Sequence, residues 1–182
     1  MPLPRVRIIQ LSPETLRALA DGDLDAADAT APVPLSPAFV SPTFRRIWAM
    51  RADQVVTDPS SAAWVTGVMW DEDAERAVGR AGFHGPPDSD GMVEIGYEVD
   101  PELRRRGYAR AALEALLARA DADPRVRVVR VTIGPHNTVS RDLALPYGFV
   151  EVGEQWDDED GLEIVYERAA INPAPAERPP HG

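Results

Sequence analysis

Arg104-Arg105-Arg106-Gly107-Tyr108-Ala109-Arg110 gathers four guanidinium groups into seven residues. The chain around them is acidic, with 19 cationic residues, all Arg, against 30 Asp and Glu and a net charge of −11. A strand ends at Val99-Asp100-Pro101, and the spacing predicts a helix that begins near Arg104. The first turn of any helix has unpaired backbone N–H groups and the positive end of the macrodipole. Gly107 and Ala109 are small, so an anion can approach that backbone closely. Arginines at the positive end of a dipole cost about 0.3–1 kcal/mol each at exposed sites, which a bound anion relieves. The chemistry implied is phosphate or pyrophosphate binding, with a solvated helix start as the bland alternative. The pattern is not a P-loop, which needs a Lys this chain lacks, nor the dinucleotide fingerprint Gly-x-Gly-x-x-Gly.

A second set of groups lies just upstream. Glu94 and Glu98 share one face of a period-2 strand, with Gly96 leaving space between them. Two carboxylates on an inner sheet face can serve as a base and as a binding site for an amine. Ile95, Tyr97 and Val99 take the opposite face, toward the helix. His84, at the end of the preceding strand, could relay a proton, although a loop-end surface His is the better description; His136, just before Asn137, is likewise a weak candidate. The absence of Cys excludes disulfides and thiolate nucleophiles, and the absence of Lys excludes an enzyme Schiff base. No two of His84, His136 and His181 sit at metal-ligand spacing, so no metal site is expected. The net charge argues against a nucleic-acid partner, which needs clustered positive charge.

The elements that must position these groups follow from periodicity and punctuation. Val6–Ile9 reads as a strand, and Ser12-Pro13-Glu14 opens a helix with Ser as N-cap. Residues 21–42, dotted with Asp and then Pro, read as a mostly irregular connection. Phe44, Ile47, Trp48 and Val55 predict a helix over about 43–57. Strands over 62–70, 77–84 and 92–99, joined by polar turns, predict an antiparallel meander. A helix over 103–121 and a strand over 126–133 then complete a crossover, so that strand lies parallel to 92–99. A short helix over 137–145 and strands 149–155 and 162–168, with Asp157–Gly161 as their turn, close the fold. The expected class is mixed α/β (α+β), a twisted mixed sheet of about seven strands with about four helices around one central β-α-β unit. Residues 1–171 form the expected domain, and 172–182, with four prolines, read as a disordered tail.

Arg104-x-x-Gly107-x-Ala109, after a strand ending in Val99-Asp100-Pro101, resembles the acetyl-CoA signature of the GNAT N-acetyltransferase superfamily. Asn137-x-x-Ser140-x-x-Leu143 followed by Tyr147-Gly148-Phe149 resembles its second motif, in particular that of the ribosomal-protein N-terminal acetyltransferases. The order of elements over residues 5–168 agrees. The resemblance implies that acetyl-CoA is the acyl donor, with the backbone of Arg104, Arg105, Arg106, Gly107, Tyr108 and Ala109 on its pyrophosphate and Arg110 beside it. It implies that the pantetheine arm runs along Val99 and its neighbours and meets Asn137 and Ser140, although Asn137 also reads as a helix cap. It favours Glu94 as general base, directly or through water, with Glu98 second. One departure stands out: many relatives carry a Tyr seven residues after the Asn, as acid to the leaving thiolate, where this chain has Ala144. Tyr147 reads instead as core.

The implied reaction is direct transfer of an acetyl group to a primary amine in a ternary complex. An acyl-CoA-binding module without catalysis, or a transferase for another acyl donor, are the alternatives. By position in the family, residues 21–42 and about 155–162 wall the acceptor cleft. Asp21, Asp23, Asp25 and Asp28 in the first, with Asp157, Asp158, Glu159 and Asp160 in the second, suggest an acidic rim that draws in a cationic amine, whether a peptide N-terminus or a small molecule such as a polyamine or an aminoglycoside-like compound; solubilising loop charge is the competing explanation. Trp48, Trp64, Trp70 and Trp156 could line the cleft, with core packing as the default. Homodimers are common among relatives. No stretch approaches the roughly 20 apolar residues of a membrane span, and Met1–Arg5 opens no signal core, so a cytoplasmic protein without membrane partner is expected.

Overall fold

Ser12 accepts a hydrogen bond from the Thr15 amide at 3.1 Å, Pro13 occupies the first turn, and Gly22 closes the helix in the left-handed conformation. Local rules therefore delimit α1 (Pro13–Asp21) as the sequence predicts. A computed structural model describes residues 3–158 and 161–171; the expected tail at 172–182 and the residues Glu159 and Asp160 lie outside them. Seven strands, β1 (Val6–Ile9), β2 (Gly67–Asp71), β3 (Arg76–Phe83), β4 (Met92–Val99), β5 (Val128–Ile133), β6 (Val150–Asp157) and β7 (Gly161–Ala169), form one sheet in the order β1-β2-β3-β4-β5-β7-β6. Neighbours are antiparallel except β4 and β5, which run parallel through the crossover helix α4 (Tyr108–Ala122).

Three expectations need correction. The stretch 21–42 is not mostly irregular: α2 (Leu24–Thr30) forms in it, one of five α-helices among the described residues. Asp23 caps it by accepting from the Ala26 amide at 3.0 Å, so an aspartate read as a helix breaker is a helix initiator. The second strand starts later than residue 62, because Asp58 caps a 3-10 turn over Pro59–Ala63 and only Gly67–Asp71 joins the sheet ladder. The long helix starts at Tyr108, not near 103. Pro101–Leu103 is a separate 3-10 turn capped by Asp100, and Gly107, at φ 86°, is the N-cap.

Two cores cover the two faces. On one, α4 and α5 (Thr138–Ala144) pack Leu113, Leu116, Leu117 and Ala144 against Val93, Ile95, Val129 and Val131. On the other, α1, α2 and α3 (Pro42–Thr57) cover β1 to β3 around Phe39, Phe44 and Trp48. Trp48 is fully buried, stacks on Phe39 with ring centroids 6.1 Å apart, and donates its indole N–H to the Phe39 carbonyl at 2.9 Å. Trp48→Ala should lower unfolding free energy by about 3–5 kcal/mol, read as a drop in denaturant midpoint at unchanged slope. Among the described residues, no helix is long and apolar enough to cross a membrane.

Candidate active site

Strands β4 and β5 pair only through Met92–Val128, Val93–Val129 and Glu94–Arg130. Beyond Glu94 they part, while β4 stays bonded to β3 as far as Val99 and β5 to β7 as far as Ile133. From Ile95 on, β4 therefore has no strand on its β5 side, and its backbone polar groups there can bond an extended ligand as a further strand would. A cleft of about 680 Å³ opens at this fork, with Ile95, Gly96 and Tyr97 on one side and Val131, Thr132 and Ile133 on the other.

The loop into α4 meets the fork at the end of β4. Arg105 and Gly107 both have positive φ, 63° and 86°; for an arginine this is a sparsely populated and strained backbone conformation. The first helical bond runs from the Ala111 amide to the Gly107 carbonyl at 3.0 Å. The amides of Tyr108, Ala109 and Arg110 precede that ladder, at the positive end of a 15-residue helix. Arg105, Arg106 and Arg110 are exposed, and Arg104 folds back so that its Nε donates to the Val99 carbonyl at 3.3 Å. The Tyr108 side chain is absent from this surface. It is buried, and its hydroxyl donates to Asp71 Oδ2 at 2.6 Å, tying α4 to β2.

Burial raises the pKa of Asp71, yet the bonds from Tyr108 and from the amides of Ala74 and Asp73 outweigh it and hold the carboxyl below its usual range. A depressed carboxylate stabilises the fold above its unfolded pKa near 3.9, and that contribution is lost as pH falls through the lower folded value. Tyr108→Phe should cost about 1–3 kcal/mol at neutral pH. In denaturation curves between pH 3 and 7, it should also flatten the loss of stability on the acid side.

Glu94 stands at the fork itself. Its Oε1 accepts from Thr132 Oγ1 at 2.8 Å, a bond between the two parting strands, and lies 3.5 Å from His84 Nδ1. Burial lowers the His84 pKa more than Glu94 raises it, and Arg51 and Arg80 lower it further, so the imidazole is neutral at pH 7. A carboxylate with one firm hydrogen bond and an open face can accept a proton from a group entering the cleft. Glu98 is elsewhere. It bonds Arg80 Nη2 at 2.6 Å, has Arg104 Nη2 at 3.8 Å, and does not line the cleft, so its charge is already matched. Asn137 caps α5 by accepting from the Ser140 amide at 3.1 Å, and both residues line the cleft. Tyr97 shares a hydrogen bond with Ser140, and burial raises its pKa more than that bond lowers it. His136 is exposed on the turn before α5 and does not line the cleft. The Tyr147 ring packs on the α4 core, while its hydroxyl donates to Glu114.

The acidic rim is only half present. Asp157 lines the cleft, but Asp21, Asp23, Asp25 and Asp28 do not; Asp23 caps α2 and Asp28 accepts from the Leu35 amide. Trp48 and Trp64 are core, Trp70 is half-buried against it, and Trp156 is 74% exposed. Sequence reasoning missed the cationic wall, Arg46 and Arg51 on α3 and Arg80 on β3. One signal was legible: Arg51 follows Trp48 by three residues and precedes Val55 by four, a charge in the middle of an apolar stripe.

Residues 5–150 match the family described as acetyltransferase (GNAT) domain. An uncharacterized N-acetyltransferase, YjdG of Bacillus subtilis strain 168, is 32% identical over 76 residues, 42% of this chain and 41% of that protein. The chain thus matches less than half the length of that curated relative. Among solved structures, a ribosomal-protein-S5-alanine acetyltransferase from Vibrio fischeri superposes with TM-score 0.57 at 14% identity, covering 93% of this chain and 96% of that one. The microcin C7 self immunity acetyltransferase MccE, solved with acetyl-CoA and AMP, gives 0.61 at 14% identity over 91% and 92% of the two chains.

Proposed function

Because the chain belongs to the GNAT acetyltransferase family, we propose that it transfers an acetyl group from acetyl-CoA to a primary amine by direct attack in a ternary complex. The fork between β4 and β5, which ends at Glu94, carries this reading. The residues fit the donor: amides of Tyr108, Ala109 and Arg110 for the pyrophosphate, arginines 104, 105, 106 and 110 for its charge, and the open side of β4 from Ile95 to Val99 for the extended arm. Asn137 and Ser140 stand across the cleft from that arm. A structure of a fold relative with acetyl-CoA bound supports the choice of donor.

Bound there, acetyl-CoA supplies an activated thioester. Glu94 then takes the proton of the attacking amine, directly or through a water, as the C–N bond forms and the C–S bond breaks. Thr132 holds the carboxylate in place for this. The departing thiolate, whose thiol has a pKa near 8–9, takes its proton from water, since Ala144 offers none and Tyr147 is bonded to Glu114.

Calorimetry with coenzyme A, followed by thiol release from acetyl-CoA across a panel of amines, tests the reading. Heat, a raised melting temperature and amine-dependent thiol release support it. No binding overturns the donor site, and binding without release leaves an acyl-CoA-binding module.

A further inference from the structure

Arg51 is the anomaly of the cleft. It is only 5% exposed, yet among the described residues no carboxylate pairs with it. Its Nε donates to Thr66 Oγ1 at 3.3 Å and its Nη1 to Gln54 Oε1 at 2.7 Å and the His84 carbonyl at 3.2 Å, all neutral acceptors. Nη2 has none of these bonds, and the residue lines the cleft. Burial lowers its pKa to about 10, Arg80 adds to the lowering, and Glu94 opposes it. It therefore remains charged at neutral pH. A buried charge without a counterion is unusual, because desolvation must be offset by an opposite charge.

The sheet order sorts the cleft by sign. Arg51 and Arg80 belong to the α3 and β3 side, Asp157 and Glu163 to the β6 and β7 side, and Glu94 stands on β4 between them. Glu98 already matches Arg80, while Arg51 makes no ion pair among the described residues and has Glu94 only at longer range.

Resting on the transferase reading above, we propose that the acceptor amine carries an anionic group, a carboxylate or a phosphate, that Arg51 receives at the α3 wall. Arg51 and Glu94 are close enough to feel each other's charge, so a small molecule spans both, its anion on the guanidinium and its amine at the carboxylate. Asp157 and Glu163 repel the anion from the opposite wall and fix the orientation. A planar guanidinium suits both carboxylate and phosphate.

The test compares matched acceptors, 4-aminobutyrate with 4-aminobutyramide and phosphoethanolamine with ethanolamine, each rate expressed per unprotonated amine. The anionic member of at least one pair should show kcat/KM higher by about tenfold or more, and the better pair identifies the group. In Arg51→Gln that ratio should fall toward one, and in Arg51→Lys part of it should return; a purely structural arginine would alter stability and leave the ratio alone. Should Arg51→Gln fail to fold, butyrate or inorganic phosphate should inhibit the native protein competitively against the acceptor and not against acetyl-CoA. Ratios near one in the native protein, or a ratio unchanged in Arg51→Gln, overturn the proposal while leaving the transferase intact. Absence of thiol release with every amine overturns the transferase reading and this proposal with it.

Discussion

Glu94→Gln should lower kcat at pH 7 by about 100-fold or more, the usual contribution of a positioned base, and leave KM for acetyl-CoA within about twofold. The amide keeps the shape of the side chain, and its oxygen still accepts from Thr132, so the fork holds. What it cannot do is take a proton. The residual rate in the variant should follow the fraction of free amine alone. An unchanged profile would move the role to water. Glu98→Gln is the informative control, because Glu98 is matched by Arg80 and stands outside the cleft. Its loss should weaken the seating of Arg104 and Arg80 and show first in KM for acetyl-CoA.

Gly107→Val should raise KM for acetyl-CoA by about 10- to 100-fold, the cost of one or two misaligned charge-assisted hydrogen bonds. Two independent effects act at this position. Its φ of 86° is open to glycine and costs an L-residue about 1–2 kcal/mol, more with a branched Cβ. A Cβ would also stand 3.2 Å from Pro4 Cδ and 3.3 Å from Leu3 Cδ2, so the segment before β1 must move. Gly107→Ala should fall between the two proteins. Isothermal titration with coenzyme A checks the series directly; equal affinities would show that the amides opening α4 do not hold the diphosphate.

The parts of the fold that local chemistry determines were legible in the residues. Ser12 before Pro13, the apolar face of α4 and the β4–α4–β5 crossover all obey rules that span a few positions. Failures came where a residue has two uses. Asp23 reads as a breaker and serves as a cap, and Asp58-Pro59 diverts a stretch that looks like strand into a tight turn. The site was legible in halves. The arginine-rich loop and Glu94 stand out by type and spacing, whereas the match of Glu98 to Arg80 links strands 18 residues apart and follows only from register. Arg51 was visible as a charge in an apolar stripe, but its neutral hydrogen-bond partners include Thr66 and His84, which only the fold brings beside it.

Three residue pairs join the β1–β4 half of the sheet to the β5–β7 half, and the groups around the fork divide accordingly. Everything that anchors the loop before α4, namely Asp71, Glu98 and the Val99 carbonyl, belongs to the first half. Gln155, Asp157 and Glu163 belong to the second. The two walls of the fork are thus carried by different halves of the sheet, and β7 couples them, through Tyr166 in the core and through Arg168 to Asp121 on α4.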